Sequence, residues 1–89
     1  MRGRTIVAWN VRRLRIARGI SQDDLALIAG VERAYVGYLE RGKRNPTVDT
    51  LEKLSEALVC QMAELFSAID EGVPTIKPLK PGRKPVKST

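Results

Sequence analysis

Apolar residues recur at three- and four-residue spacings through the first 71 positions of this chain. That spacing marks the buried face of amphipathic helices. Residues 5–18 put Ile6, Trp9 or Asn10, Val11, Leu14 and Ala17 on one stripe, with Arg12, Arg13, Arg15 and Arg18 between them. Gly19 follows, in the place where a left-handed residue ends a helix. Ser21 then opens a second helix. Its hydroxyl can accept from a free backbone N–H, and Asp24 three residues on completes a capping-box pattern. Leu25, Ala26 and Ala29 form the inner face, and Gly30 stops the helix after about two turns.

A third helix is expected from about Glu32 to Arg41, with Val31, Val36 and Leu39 turned inward and Gly42 closing it. Gly37 in its middle costs about 1 kcal/mol relative to alanine. Two readings of that glycine stand open: close approach to a ligand, or plain exposure to solvent. Thr47 caps a fourth helix, whose stripe is Val48, Leu51, Leu54 and Leu58. A break near Cys60 and Gln61 leads to a fifth helix with Met62, Leu65, Phe66 and Ile69. Beyond Gly72 lie four of the five prolines, at 74, 78, 81 and 85. Proline at that density opposes both helix and sheet, so a flexible tail is expected. The pattern describes an all-α fold: a compact five-helix domain over 1–71 and a basic tail over 72–89.

Charge adds a direction. Residues 1–46 carry a net +6, residues 47–71 a net −5 and residues 72–89 a net +5, within a total of +6. A basic front suits a polyanion, because each phosphate contact releases counterions. A mixed solubilising surface explains the same charges equally well. The chain has no histidine and one cysteine. That excludes a His/Cys metal site and histidine-based catalysis, and no cofactor or small-molecule ligand is expected. Cys60 reads as a small buried thiol or, alternatively, a redox sensor. The apolar runs fall far short of the ~20 residues that span a bilayer. Asn10, Arg12 and Arg13 interrupt the run that a secretory signal needs, so a cytoplasmic location is expected.

The informative stretch is 21–41. A capped two-turn helix meets a second helix after Gly30, Val31 and Glu32, and helices joined so tightly cross steeply, as in a helix-turn-helix. The second helix then projects Glu32, Arg33, Ala34, Gly37 and Tyr38 away from the core, and a helix fits the B-DNA major groove. Three segments carry a resemblance: Ser21-Gln22-Asp23-Asp24-Leu25-Ala26, Gly30-Val31, and Leu39-Glu40-Arg41-Gly42-Lys43-Arg44-Asn45-Pro46-Thr47. In these the chain resembles the phage-repressor (Cro/cI-type, XRE) helix-turn-helix family over about residues 8–66. The resemblance implies a lambda-repressor-like five-helix fold that binds operator DNA, usually as a homodimer.

Position by position, it implies base reading by Gln22, Glu32, Arg33, Ala34 and Tyr38. Arg33 stands out because arginine pairs bidentately with guanine. It implies backbone contacts from Arg18, Ser21, Tyr35, Arg41, Lys43 and Arg44, with Tyr35 alternatively packing against the second helix. Arg15 and Glu40 match the family's structural ion pair. Glu32 departs from the usual small polar cap, and Ala34 and Gly37 replace polar residues common in the family. Met62, Leu65, Phe66 and Ile69 are candidates for a twofold dimer interface. Asp23 and Asp24 read as capping acids or as a contact for RNA polymerase.

In the tail, Lys80-Pro81-Gly82-Arg83-Lys84-Pro85 looks like an AT-hook lacking its first arginine. Lys80, Arg83, Lys84 and Lys87 are otherwise a basic arm adding non-specific DNA affinity, or an inert tail. The leading function is a transcriptional regulator, as a repressor that controls its own gene or as a restriction–modification controller, which Glu32-Arg33-Ala34-Tyr35-Val36 also resembles. The competing class is a partner-binding module, such as an antitoxin that keeps the helix-turn-helix fold.

Overall fold

The computed structural model describes residues 3–69, all of whose regular structure is helical: α1 (Gly3–Ala17), α2 (Gln22–Ala29), α3 (Arg33–Glu40), α4 (Val48–Ala57) and a 3₁₀ helix (Met62–Phe66). The short helices start where the sequence supplies caps. The Asp24 N–H donates to Ser21 Oγ (2.9 Å) and the Ser21 N–H returns to Asp24 Oδ2 (3.3 Å), completing the capping box. The Thr50 N–H donates to Thr47 Oγ1 (3.1 Å) at the start of α4. Gly30 ends α2 at φ 75°, a left-handed conformation that turns the chain into α3 within three residues.

The core is a single cluster in which Leu25, Val36, Leu39, Leu54, Leu58, Leu65 and Val11 are fully buried. Each such leucine contributes about 1.5–3 kcal/mol relative to exposure. α2 packs on α3 and α4, while α1 packs on α3 and the 3₁₀ helix. The stripe of α1 runs through Val7, Ala8, Asn10, Val11 and Leu14, and Ala17 is exposed at the helix end. Asn10 is therefore a buried polar residue on the apolar face. Its amide nitrogen lies 2.9–3.1 Å from the carbonyls of Ile6, Leu65 and Ser67, and its Oδ1 accepts from Arg13 Nε and Nη2. It ties the C-terminal segment to α1.

Two expectations need correction, and one residue expected at DNA is engaged within the chain. The fifth helix is a single 3₁₀ segment, Met62–Phe66, and Ile69 lies beyond its end. Val48, expected on the buried stripe, is 69% exposed because it sits in the first turn of α4, before the stripe meets the core. Ser55 is buried instead, its hydroxyl donating to the Glu52 carbonyl (2.8 Å). Arg18, expected against the DNA backbone, makes its hydrogen bonds within the chain. Its Nε donates to the Leu58 carbonyl (2.7 Å) and its Nη2 to the Val59 carbonyl (3.0 Å), closing the C-terminal end of α4 where cations are favoured.

That end of α4 repeats a bond pattern seen after α1 and α3. The Cys60 N–H donates to the Ser55 carbonyl and the Val59 N–H to the Glu56 carbonyl, as Ile20 and Gly19 do to Arg15 and Ile16, and Lys43 and Gly42 do to Tyr38 and Leu39. The left-handed residue is glycine in two of the three and Val59, at φ 54°, in the third. A β-branched residue is strained there. Cys60 next to it is half-buried. Burial first and Glu64 second push its thiol up, against Arg18 and Arg13, which leaves little reactive thiolate at neutral pH.

The orientation of α3 is set by one carboxylate. Glu40 (side chain 3% exposed) accepts from Arg15 Nε (2.7 Å) and Nη2 (3.2 Å) and from Gln22 Nε2 (2.9 Å), while Arg15 Nη1 donates to the Ile20 carbonyl (2.9 Å).

Two stability predictions follow from this packing. Val59→Gly should raise stability by about 0.5–1 kcal/mol, since relief of strain exceeds the added chain entropy. Thermal melts check it, and a lower Tm would show that the Val59 side chain is needed where it lies. Glu40→Ala should cost about 3–5 kcal/mol by leaving a buried guanidinium unpaired. Glu40→Gln, which keeps an acceptor, should cost less in urea titrations.

Candidate nucleic-acid interface

Behind α3, Val36 and Leu39 are sealed into the core. Its other side faces solvent with Glu32, Arg33, Ala34, Tyr38 and Arg41. Glu32 occupies the N-cap with extended backbone and no side-chain cap bond, so its carboxylate is not consumed locally. Arg33, one turn from Gly37, reaches back to α2, where its Nε lies 2.7 Å from Asp23 Oδ1. Both side chains are more than half exposed, and such a pair is worth little to stability. It restrains the guanidinium on the outer face without burying it. Ala34, beside it, offers only a methyl group.

Gly37 is not exposed to solvent, which removes one of its two sequence readings. It is buried, beneath the arginines of its own helix. A Cβ there would lie 3.2 Å from Arg33 Nη1 and 3.6 Å from Arg41 Nη1. The missing side chain eases the close approach of Arg33, while the Arg41 distance is ordinary van der Waals contact. Tyr38 (41% exposed) is the next residue in the row. The guanidinium carbons of Arg41 and Arg44 lie 5.0 and 4.4 Å from its ring centroid, within cation–π range. Lys43 is exposed beside them. Arg33, Tyr38, Arg41, Lys43 and Arg44 thus form one basic surface along α3 and the turn that follows.

Other expected contact residues are engaged within the chain. Gln22 sits at the first turn of α2, but its amide donates inward to Glu40. Its part in the observed geometry is to hold α3. Ser21 Oγ is used as the helix cap. Tyr35 is half-buried against the core, in line with the packing alternative. Arg18 is bound to α4, as described above. Asp23 and Asp24 both have structural partners, Arg33 and Ser21. Of the four interface candidates, Leu65 is fully buried in the core and so unavailable to a second chain. Met62 and Ile69 are half-buried, and only Phe66 (51% exposed) presents a large apolar surface. The tail residues Lys80, Arg83, Lys84 and Lys87 lie outside the described residues.

Sequence reasoning assigned no role to Asn10, although a signal existed: an amide on a stripe otherwise filled by Val7, Val11 and Leu14. The stacking of Arg41 and Arg44 on Tyr38 had no such signal, because it depends on the turn at Gly42. Among the described residues there is no cluster of metal-ligating side chains, and no helix is long and apolar enough to cross a membrane.

Comparison with known proteins agrees with this geometry. Residues 11–65 match the helix-turn-helix family. The uncharacterized HTH-type transcriptional regulator y4dJ of Sinorhizobium fredii is 41% identical over 68 residues, covering 76% of this chain and 88% of that protein. The control protein C.SmaI of Serratia marcescens is 42% identical over 62 residues, covering 70% and 74%. Among solved structures, the restriction-modification controller protein C.AhdI from Aeromonas hydrophila superposes with a TM-score of 0.69 at 41% identity, covering 71% of this chain and 96% of that one. The controller protein C.Esp1396I, as a tetramer in complex with its natural 35 base-pair operator, superposes with a TM-score of 0.68 at 27% identity, covering 74% and 87%. With α2 and α3 joined through residues 30–32 and packed together, and with these relatives, the chain belongs to the helix-turn-helix family of XRE-type transcriptional regulators.

Proposed function

We propose that this protein is a sequence-specific duplex-DNA-binding transcriptional regulator that inserts α3 into the major groove and acts as a homodimer. The observation that carries the reading is the basic outer surface of α3, with Arg33 at its N-terminal end and Arg41, Lys43 and Arg44 at its C-terminal end, held rigidly from behind by Glu40. The N-terminal part of such a helix reaches base edges, and the flanking cations meet the backbone. Arg33 is the base reader: with its Nε on Asp23, the other guanidinium nitrogens remain for guanine O6 and N7. Ala34 contributes methyl contact, and Glu32 selects by accepting from cytosine or by excluding phosphate.

A single eight-residue helix reads too few base pairs to be selective. Twofold pairing supplies a second half-site about one helical turn away. Phe66 is the described residue of the C-terminal segment best placed to join such an interface. Regulation by the relatives' kind, restriction–modification controllers included, fits a protein that acts by binding in the cytoplasm, with no turnover and no cofactor. Residues 1–71 form the DNA-binding domain in this reading, and residues 72–89 a basic arm.

Selection from random duplex DNA near physiological salt tests the reading. A motif with twofold symmetry is expected, and no enrichment from folded protein would point to a partner-binding module. On the selected site, Arg33→Ala should lose about 1–3 kcal/mol of discrimination at one base pair per half-site. Equal loss on every sequence would instead place Arg33 on phosphate. Removing residues 72–89 should lower affinity and flatten the salt dependence while leaving the motif unchanged. An unchanged slope would make the tail inert.

A further inference from the structure

We propose that Tyr38 is a positioning residue: its ring holds Arg41 and Arg44 together as a preassembled clamp for phosphate on one DNA strand, rather than reading a base. The inference rests on the DNA-binding reading of α3 and assigns the chemistry of its C-terminal end.

Two guanidinium groups sit against one ring, at 5.0 and 4.4 Å from its centroid. Two like charges brought to one ring repel each other, and the nearest carboxylate on the same helix gives no relief. Glu40 is turned inward and fully engaged by Arg15 and Gln22. The ring's negative face offsets part of that repulsion in the free protein. An anion shared by both guanidiniums offsets it further, and phosphodiester oxygens match arginine's fork of donors.

The backbone fixes the arrangement. The Lys43 N–H donates back to the Tyr38 carbonyl (2.9 Å) and the Gly42 N–H to the Leu39 carbonyl (2.9 Å), so the turn folds over the end of α3 and delivers Arg44 to the ring. Arg44 Nη1 is held further by the Lys43 carbonyl (3.2 Å). Arg41 Nη1 also lies within van der Waals reach of the Gly37 position. Long side chains ordered before binding lose less freedom on association. A base stacking on the Tyr38 ring would compete with these guanidiniums.

The test uses full-length protein and two fluorescein-labelled duplexes of equal length, one carrying the selected motif and one of scrambled sequence, titrated by anisotropy over a range of salt. Tyr38→Ala should weaken binding to both duplexes by a similar factor, on the order of tenfold, and reduce the slope of log K against log salt by about 1–2, each phosphate contact being worth ~0.9. Tyr38→Phe, which keeps the ring, should restore affinity and slope. The selected motif should be the same for all three proteins, and melting curves check that Tyr38→Ala is folded. A change of preference at one base pair, an unchanged salt slope in Tyr38→Ala, or Tyr38→Phe behaving like Tyr38→Ala would each overturn the clamp while leaving the DNA-binding reading intact. Wild-type protein that binds neither duplex would overturn both.

Discussion

One buried carboxylate holds the molecule in its working shape. Glu40 gathers Arg15 from the end of α1 and Gln22 from the start of α2, and Arg15 also holds the Ile20 carbonyl in the link between those helices. Three helices and a turn therefore meet at the last residue of α3. Burying charge is costly, and it is tolerated only when every donor and acceptor in the set is matched. In the Arg15–Glu40–Gln22 set, both carboxylate oxygens of Glu40 are matched by donors. What it contributes is orientation: α3 cannot roll about its axis without breaking the set, so the residues on its far side are fixed as well.

Those far-side residues divide the work by position. At the N-terminal end Arg33 is tethered to Asp23 but exposed, and free to exchange that weak surface pair for a base edge. At the C-terminal end Tyr38, Arg41 and Arg44 form a stacked cationic group. Gly37 lies between them and is buried by the arginines on either side. A Cβ at that position would press on the Arg33 guanidinium. Val59 shows the opposite case, a side chain kept where glycine is the usual choice. The Arg18 guanidinium on the adjoining carbonyls helps hold that turn.

Much of this was legible from the sequence because it is local. The capping box at Ser21, the Thr47 cap, the turn at Gly30 and the inward Val36 and Leu39 follow from spacing and short-range hydrogen bonding. The Arg15–Glu40 pair was legible only through family resemblance, since nothing in the spacing of residues 15 and 40 requires them to meet. What the sequence hid depends on distant contacts. Arg18 looked like one more cation of the basic front until α4 placed two carbonyls in its reach. Leu65 was a candidate for the dimer interface because helical periodicity was extended past Gln61, where the chain forms a 3₁₀ turn that buries Leu65 in the core. Asn10 needs the carbonyls of Leu65 and Ser67, more than fifty residues away.

DNA binding of this kind requires α3 to present its outer face to the groove. The most direct measurement is a titration of ¹⁵N-labelled protein with duplex DNA carrying the selected motif, followed by amide chemical shifts. The largest changes should fall on Arg33 to Tyr38, on Arg41 to Arg44 and on the first turn of α2, with α4 little affected. Changes centred on α4 or on Met62 to Phe66, with α3 unmoved, would contradict it.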